Sequence, residues 1–299
     1  MRKSLLIAGL LGFSFAAPTA VFAEEEAAAA AEAKPDFAVT GSISLVSDYI
    51  FRGQSQTWGR PAAQLGVEVN HKSGLYAGFF GSNVSDEWLP GANLETDWYA
   101  GYRGTLPGAA SDIGFDVGGI YYYYPGANWK ESAFVGSNNP NTLNTFEVYA
   151  ALSYKWLQVK AGRTLSEYWG WNKNNSSNAA EPSNGGIGDF NGDANAGVTG
   201  NTKGSYFYEA NASYEVFPTW TLSGQVGRQI VADSSGLDIT YYKAGVTKGL
   251  AGGWSVGAFY SATNRPDAYD NFISLRTGRA NDDSDITRST GFISISKSF

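Results

Sequence analysis

One histidine, His71, is the only imidazole in this chain of 299 residues, which also contains no cysteine. Histidine is the usual general base in hydrolases that use a serine or similar nucleophile. His71 lies beside Lys72 and Ser73 in a short polar segment that predicts a turn, far from any long loop that would supply an acid and a nucleophile. We therefore interpret His71 as a solvated turn residue and predict that the protein is not an enzyme.

Carboxylates offer two further chemistries, paired-acid hydrolysis and metal binding, and neither pattern is complete. No pair of acids stands apart from the scattered acidic residues. Residues 189–195 (DFNGDAN) alternate oxygen ligands as a calcium loop does, but Ala194 replaces the turn glycine and Gly200 the closing glutamate. We interpret this segment as a flexible loop, and the sequence predicts no metal site and no cofactor.

The N-terminus predicts export. Arg2 and Lys3 precede an apolar run, and small residues at Val21 and Ala23 predict signal-peptide cleavage after Ala23. We expect residues 1–23 to be the signal peptide, residues 24–35 an acidic, alanine-rich periplasmic lead-in, and residues 36–299 the folded domain. Cleavage would leave 19 basic and 28 acidic residues, a formal charge of −9, which argues against nucleic acid as a partner.

Twelve segments predict β-strands, and apolar and polar side chains alternate along them so that one face is apolar. In the segment that begins near Asp238 the alternation is mixed, so its inward face is unassigned. After residue 23 no apolar run is long enough for a membrane-spanning helix, so only a closed barrel would cross a bilayer. The first strand is expected to continue to Arg52, with Tyr49 and Phe51 facing lipid. The segments begin near Phe37, Leu65, Leu75, Leu94, Ile113, Phe146, Leu157, Tyr206, Trp220, Asp238, Trp254 and Arg288.

Short and long connections alternate between these segments, as periplasmic turns and extracellular loops do in outer-membrane barrels. Trp156, Trp220 and Trp254 lie beside the short connections, where one membrane interface would be. The fold class predicted is therefore all-β: a transmembrane, antiparallel, up-and-down β-barrel of about twelve strands in the outer membrane. Its partners would be outer-membrane lipids and lipopolysaccharide. The terminal pattern Ile293, Ile295 and Phe299 predicts recognition by the barrel-assembly machinery.

Charged side chains fall on the faces predicted to point inward, which indicates a wet interior. We expect a porin-like protein with a narrow, slightly cation-leaning lumen that passes small hydrophilic solutes. Inward aromatic residues such as Tyr76 and Phe207 support the alternative: a closed barrel with a structural, adhesion or surface-recognition role through its long loops, chiefly residues 169–204. The residues predicted to line the pore are Asp48, Arg52, Glu68, Asp97, Arg103, Asp116, Glu147, Lys160 and Glu209.

Residues 46–57 (VSDYIFRGQSQT) resemble the opening motif of the Gcw_chp family, proteobacterial proteins of unknown function that are also labelled TorF-family porins. Weaker matches occur in four other segments: residues 74–78 (GLYAG), 120–126 (IYYYYPG), 147–150 (EVYA) and 204–208 (GSYFY). The resemblance implies an outer-membrane protein and a porin. It implies no catalytic residues.

Overall fold

Twelve antiparallel strands close into one barrel in the computed structural model, which describes residues 35–134, 141–176, 196–264 and 266–299. Each strand pairs with its neighbours in the sequence, and the last strand pairs with the first. This confirms the predicted up-and-down barrel and its strand number. The strands are β1 (Phe37–Val46), β2 (Ala62–His71), β3 (Leu75–Asn83), β4 (Leu94–Thr105), β5 (Ile113–Tyr123), β6 (Thr145–Tyr154), β7 (Leu157–Thr164), β8 (Tyr206–Phe217), β9 (Trp220–Ile230), β10 (Ile239–Gly249), β11 (Trp254–Thr263) and β12 (Thr290–Ser298).

The barrel strands carry most of their aliphatic side chains on the outer surface and most of their polar side chains on the inner surface, the reverse of a water-soluble protein. In β11, Val256 is 40% exposed on the outer surface while the adjacent Ser255 is buried on the inner surface. This arrangement suits a barrel surrounded by hydrocarbon, because each strand needs an apolar face only toward lipid. Within the described residues, no helix has the length and apolarity needed to cross a membrane.

The connections alternate in length as the sequence predicted. Two residues, 155–156, join β6 to β7, whereas residues 165–205 join β7 to β8. The connection from β9 to β10 (231–238) is the shortest on the long-loop side. Trp156, Trp220 and Trp254 all lie at the short-turn end with their rings on the outer surface.

The first strand is shorter than the sequence predicted, and the expectation that Tyr49 and Phe51 face lipid is wrong. Strand β1 ends at Val46, and the chain then turns into the barrel, where these two rings are buried. Residues Ile50–Phe51 pair with Gln54–Ser55 as a small hairpin. The alternation continued past Val46 because this hairpin is itself extended, but its rings pack against other aromatic residues instead of lipid.

Closure of the barrel joins both ends of the domain. The Gly41 amide donates to the Phe299 carbonyl at 2.9 Å, and the Phe299 amide donates back to Gly41 at 3.0 Å. Ile293, Ile295 and Phe299 are exposed on the outer surface, so they are open to a partner. Their recognition by assembly machinery stays a prediction. The predicted signal peptide, most of the lead-in and residues 189–195 lie outside the described residues.

The long loops pack together over one end of the barrel around an aromatic cluster, which we call the outer-loop cap. Its members come from four different loops and are all buried: Trp88, Trp129, Trp169, Trp171, Tyr269 and Phe272. The Trp88 ring lies 5.1 Å from that of Phe272 and 5.9 Å from that of Trp171. Glu87 accepts hydrogen bonds from Ser274 and Arg276, so charge pairing also fastens the second long loop to the last.

Candidate functional site

The hairpin of residues 50–55, the lumenal hairpin, reaches across the interior of the barrel. Arg52 and Gly53 form its two-residue turn with φ of 46° and 82°, the left-handed pair that a type I′ turn requires. A Cβ on Gly53 would lie 2.5 Å from Cγ2 of Thr263 in β11 and 2.9 Å from Cβ of Tyr241 in β10. Glycine is therefore required at the tip both for its backbone angle and for its contact with the wall.

Arg52 fixes the hairpin tip to two further strands. Its guanidinium donates to both carboxylate oxygens of Glu147 in β6, at 2.8 and 3.0 Å, and to Oε1 of Gln229 in β9 at 2.7 Å. The guanidinium carbon also lies 3.6 Å from the centre of the Phe207 ring. Because the Arg52 and Glu147 side chains are 6% and 2% exposed, this bidentate pair is nearly free of solvent screening. We call it the Arg52–Glu147 latch.

The base of the hairpin is bound to the opposite part of the interior. The Tyr49 ring packs edge-on against Phe80 of β3, and the Phe51 ring against Tyr122 of β5. Asp48 accepts hydrogen bonds from Ser55 at 2.6 Å and from Thr57 at 3.0 Å. Burial raises the pKa of Asp48 above its usual value, while these two hydroxyl groups oppose the rise.

Two polar networks line the barrel on the short-turn side of the hairpin. In the first, the Tyr76 hydroxyl contacts Asp116 and Tyr149, while Arg103 donates to Glu68 at 2.9 Å. The second centres on Glu209. It accepts from Tyr241 at 2.8 Å and from Gln225 at 3.3 Å, and it lies directly opposite Lys160 on the neighbouring strand.

Inward aromatic rings lie against glycines of the barrel wall. A Cβ added to Gly78 would lie 2.3 Å from the Tyr99 ring, and one added to Gly227 would lie 2.4 Å from the Tyr241 ring. Gly101, Gly118 and Gly162 stand in the same relation to Tyr76, Tyr149 and Phe207. Rings held this close to the backbone extend less far into the lumen than rings that stand away from the wall.

Two acids of β4 are buried without a basic partner in the described part of the chain. Asp97 is fully buried and neither of its carboxylate oxygens has a hydrogen-bond partner; Oε2 of Glu95 and the Tyr49 hydroxyl also make no hydrogen bond of good geometry. The other Glu95 oxygen accepts from Tyr124 at 2.7 Å, and Trp169 donates to that tyrosine at 2.8 Å. Burial, and after it the charge of Glu95, raises the pKa of Tyr49 well above its usual value.

All nine residues predicted to line the pore have their side chains inside the barrel, seven on the strands and two, Asp48 and Arg52, on the first loop. The alternation of side chains along the sequence also predicts inward positions for Asp112, Lys155 and Glu215. In the structure these three residues are exposed at the short turns. The structure adds Lys243, which faces inward beside Gln225 and Ser261 and whose strand had no clear register in the sequence.

Gln229, the second acceptor of Arg52, was missed because a lone glutamine near a strand end carries no distinctive signal. Within the described residues, no group of three or more His, Asp or Glu side chains is arranged to hold a metal ion. The arrangement therefore offers ion pairing and hydrogen bonding inside the barrel.

A family model described as "Bacterial protein of unknown function (Gcw_chp)" matches residues 30–299. No protein of curated function matches the chain. Among solved structures, a KdgM porin is 8% identical to this chain with a TM-score of 0.44, and the alignment covers 87% of this chain and 99% of the porin. A NanC porin is 10% identical with a TM-score of 0.46, covering 88% and 99%. OccAB1 of Acinetobacter baumannii is 14% identical with a TM-score of 0.39, covering 85% and 59%.

Proposed function

Since the chain belongs to the Gcw_chp family of bacterial proteins of unknown function, its activity has to be argued from the barrel itself, and we propose a porin-like role in the outer membrane. In this proposal small hydrophilic solutes pass passively through a narrow lumen. The observation that supports it most is the pair of charged and hydrogen-bonding networks on the inner surface, around Asp116 and Glu209. Charged groups are costly inside a barrel unless water or opposite charge reaches them.

The inner surface favours cations. Among the described residues with inward side chains, seven acids face four bases. The acids are Asp48, Glu68, Glu95, Asp97, Asp116, Glu147 and Glu209, and the bases are Arg52, Arg103, Lys160 and Lys243. An excess of negative charge on the wall of a narrow passage raises the local concentration of cations, so we expect a modest cation preference.

The lumenal hairpin sets the width of the passage. Together with the preceding Tyr49 it contacts β3 and β5 at its base, and it contacts β6, β9, β10 and β11 at its tip, so it crosses the lumen. The outer-loop cap covers the mouth beyond it. We therefore expect conduction in short openings of low conductance, when the hairpin and the cap loops move aside.

Planar-bilayer recording of the purified protein tests this proposal. We expect discrete current steps, and in a KCl gradient a reversal potential of the sign that cation preference produces. The double variant Glu68→Gln, Asp116→Asn should reduce that potential, whereas Asp283→Asn, on an exposed loop, should leave it unchanged. A steady absence of current steps would end the channel proposal, and anion preference would contradict the charge argument.

A second candidate is a closed barrel that acts through its long loops in structure, adhesion or surface recognition. The outer-loop cap favours it, because aromatic residues from four loops form one buried cluster that would hold a loop surface in a fixed shape. Two results would support this candidate. The wild-type protein would show no current in planar bilayers, and its loop surface would bind saturably to intact cells or envelope sugars.

Location and partners also belong to the proposal. Exposed apolar strand faces favour contact with outer-membrane lipids and lipopolysaccharide, and outward Ile293, Ile295 and Phe299 favour recognition by the assembly machinery. Mass spectrometry of protein from the outer-membrane fraction should give a chain that begins at Glu24. Full-length protein in the inner membrane would contradict the location. A gel mobility that does not change on boiling would contradict a detergent-resistant barrel.

A further inference from the structure

Four oxygen atoms meet between β4 and the base of the lumenal hairpin. They are both carboxylate oxygens of Asp97, Oε2 of Glu95 and the hydroxyl of Tyr49; none makes a hydrogen bond of good geometry within the described residues, although the Tyr49 hydroxyl interacts with the Glu95 carboxylate. Asp97, Glu95 and Tyr49 are each at most 1% exposed. A buried polar atom without a partner is costly, and a carboxylate even more so.

Glu95 and Asp97 point into the same space. They are two residues apart on β4, so their side chains share a face, with α-carbons roughly 7 Å apart. The charged group that acts on Asp97 is Glu95, which has the same sign. Arg52, the nearest base of the hairpin, is already engaged by Glu147 and Gln229. Repulsion between the two carboxylates is therefore not offset by any described basic side chain.

Protonation alone does not satisfy this cluster. A neutral Asp97 would no longer repel Glu95, but the acid's remaining carbonyl oxygen would still be a buried acceptor without a donor. The Tyr124 hydroxyl accepts a hydrogen bond from Trp169 and donates its own proton to Oε1 of Glu95. These contacts fix the orientation of the Glu95 carboxylate and leave its second oxygen able to bind a cation.

We propose that Glu95, Asp97 and Tyr49 form a buried site for a divalent cation that prefers oxygen ligands, with calcium the best match. Two carboxylates neutralise its charge, and calcium accepts a flexible set of carboxylate, backbone and water oxygens, to which we add the neutral Tyr49 hydroxyl as a weaker ligand. Because Tyr49 belongs to the first long loop and both acids belong to β4, the cation joins the base of the hairpin to the barrel wall. The site does not depend on whether the lumen conducts.

Terbium luminescence tests the site directly, because terbium replaces calcium and is excited through nearby tyrosine and tryptophan. The full chain is refolded in detergent with EGTA, free of lipopolysaccharide, and then titrated with terbium and with calcium. We expect one saturable site, displacement by calcium, and a rise of several degrees in Tm with calcium. Asp97→Asn and Glu95→Gln should each weaken binding at least tenfold, and Tyr49→Phe several-fold.

Asp116→Asn is the matched control, because Asp116 is also an inward acid but already has a hydrogen-bond partner in Tyr76. It should retain the calcium-dependent rise in Tm. Tyr49→Phe keeps both acids and the ring, so it remains informative if the acid variants fail to fold. Binding that is unsaturable, or equal in Asp97→Asn and wild type, would overturn the proposal. The proposal would also be overturned if Asp97→Asn and Glu95→Gln raised the Tm and removed any response to calcium, because two neutral acids would then explain the cluster.

Discussion

Removing one partner of the Arg52–Glu147 latch should destabilise the protein more than removing one partner of any exposed ion pair of the barrel. Its bidentate contacts of 2.8 and 3.0 Å join side chains that are 6% and 2% exposed, so removing one partner leaves the other charge buried. Breaking a buried pair from one side costs about 3–5 kcal/mol. We expect Arg52→Met and Glu147→Met each to lower the free energy of unfolding by about that amount.

The double variant Arg52→Met, Glu147→Met separates a buried pair from two independent losses. It removes both charges and retains apolar volume, so it should cost less than either single variant. Unfolding by guanidinium in detergent micelles, followed by tryptophan fluorescence, measures all four proteins. The exposed pair Lys72–Asp36 is the control and should contribute at most about 1 kcal/mol. Additive single effects, each below about 1 kcal/mol, would refute this reasoning.

Three further changes should have measurable effects. Gly53→Ala should destabilise the protein by about 1–3 kcal/mol, since the left-handed backbone strains alanine and its Cβ would meet Thr263 at 2.5 Å; urea unfolding measures this. Folding raises the pKa of Asp48, so the folded protein binds a proton more readily than the unfolded chain. The stability of the wild type relative to Asp48→Asn should therefore increase as the pH falls through that pKa toward 3.8. An increase in relative stability on raising the pH would refute this prediction. Tyr76→Phe should lower the free energy of unfolding by about 1–3 kcal/mol, because Asp116 loses its hydroxyl donor. Unfolding experiments that show no loss of stability would contradict this.

The barrel could be predicted from sequence because lipid and water impose a period of two along every strand. In β11, Val256 faces outward and Ser255 inward, as the pattern requires. Alternation does not say where a strand leaves the barrel, which is why β1 was extended through Phe51. A signal for the break was present: Arg52-Gly53 lies between two extended pairs, and glycine there favours a two-residue turn.

The site could be predicted only in part. Parity along the strands placed Glu147 and Lys160 inside, because inward position follows from the strand register. Which inward groups pair depends on contacts between distant parts of the chain: Arg52 lies 95 residues from Glu147 and 177 from Gln229. The absence of hydrogen-bond partners for Asp97 is likewise a property of packing, which spacing along one strand does not encode.

In the proposed function, the lumenal hairpin restricts a polar passage through the barrel. Single-channel conductance in planar bilayers tests it, by comparing wild type with a variant whose residues 50–55 are replaced by a Gly-Ser linker of equal length. We expect brief, small openings in wild type and larger, longer ones in the variant. Equal conductance in the two proteins would contradict the role of the hairpin, and silence in both would contradict the passage itself.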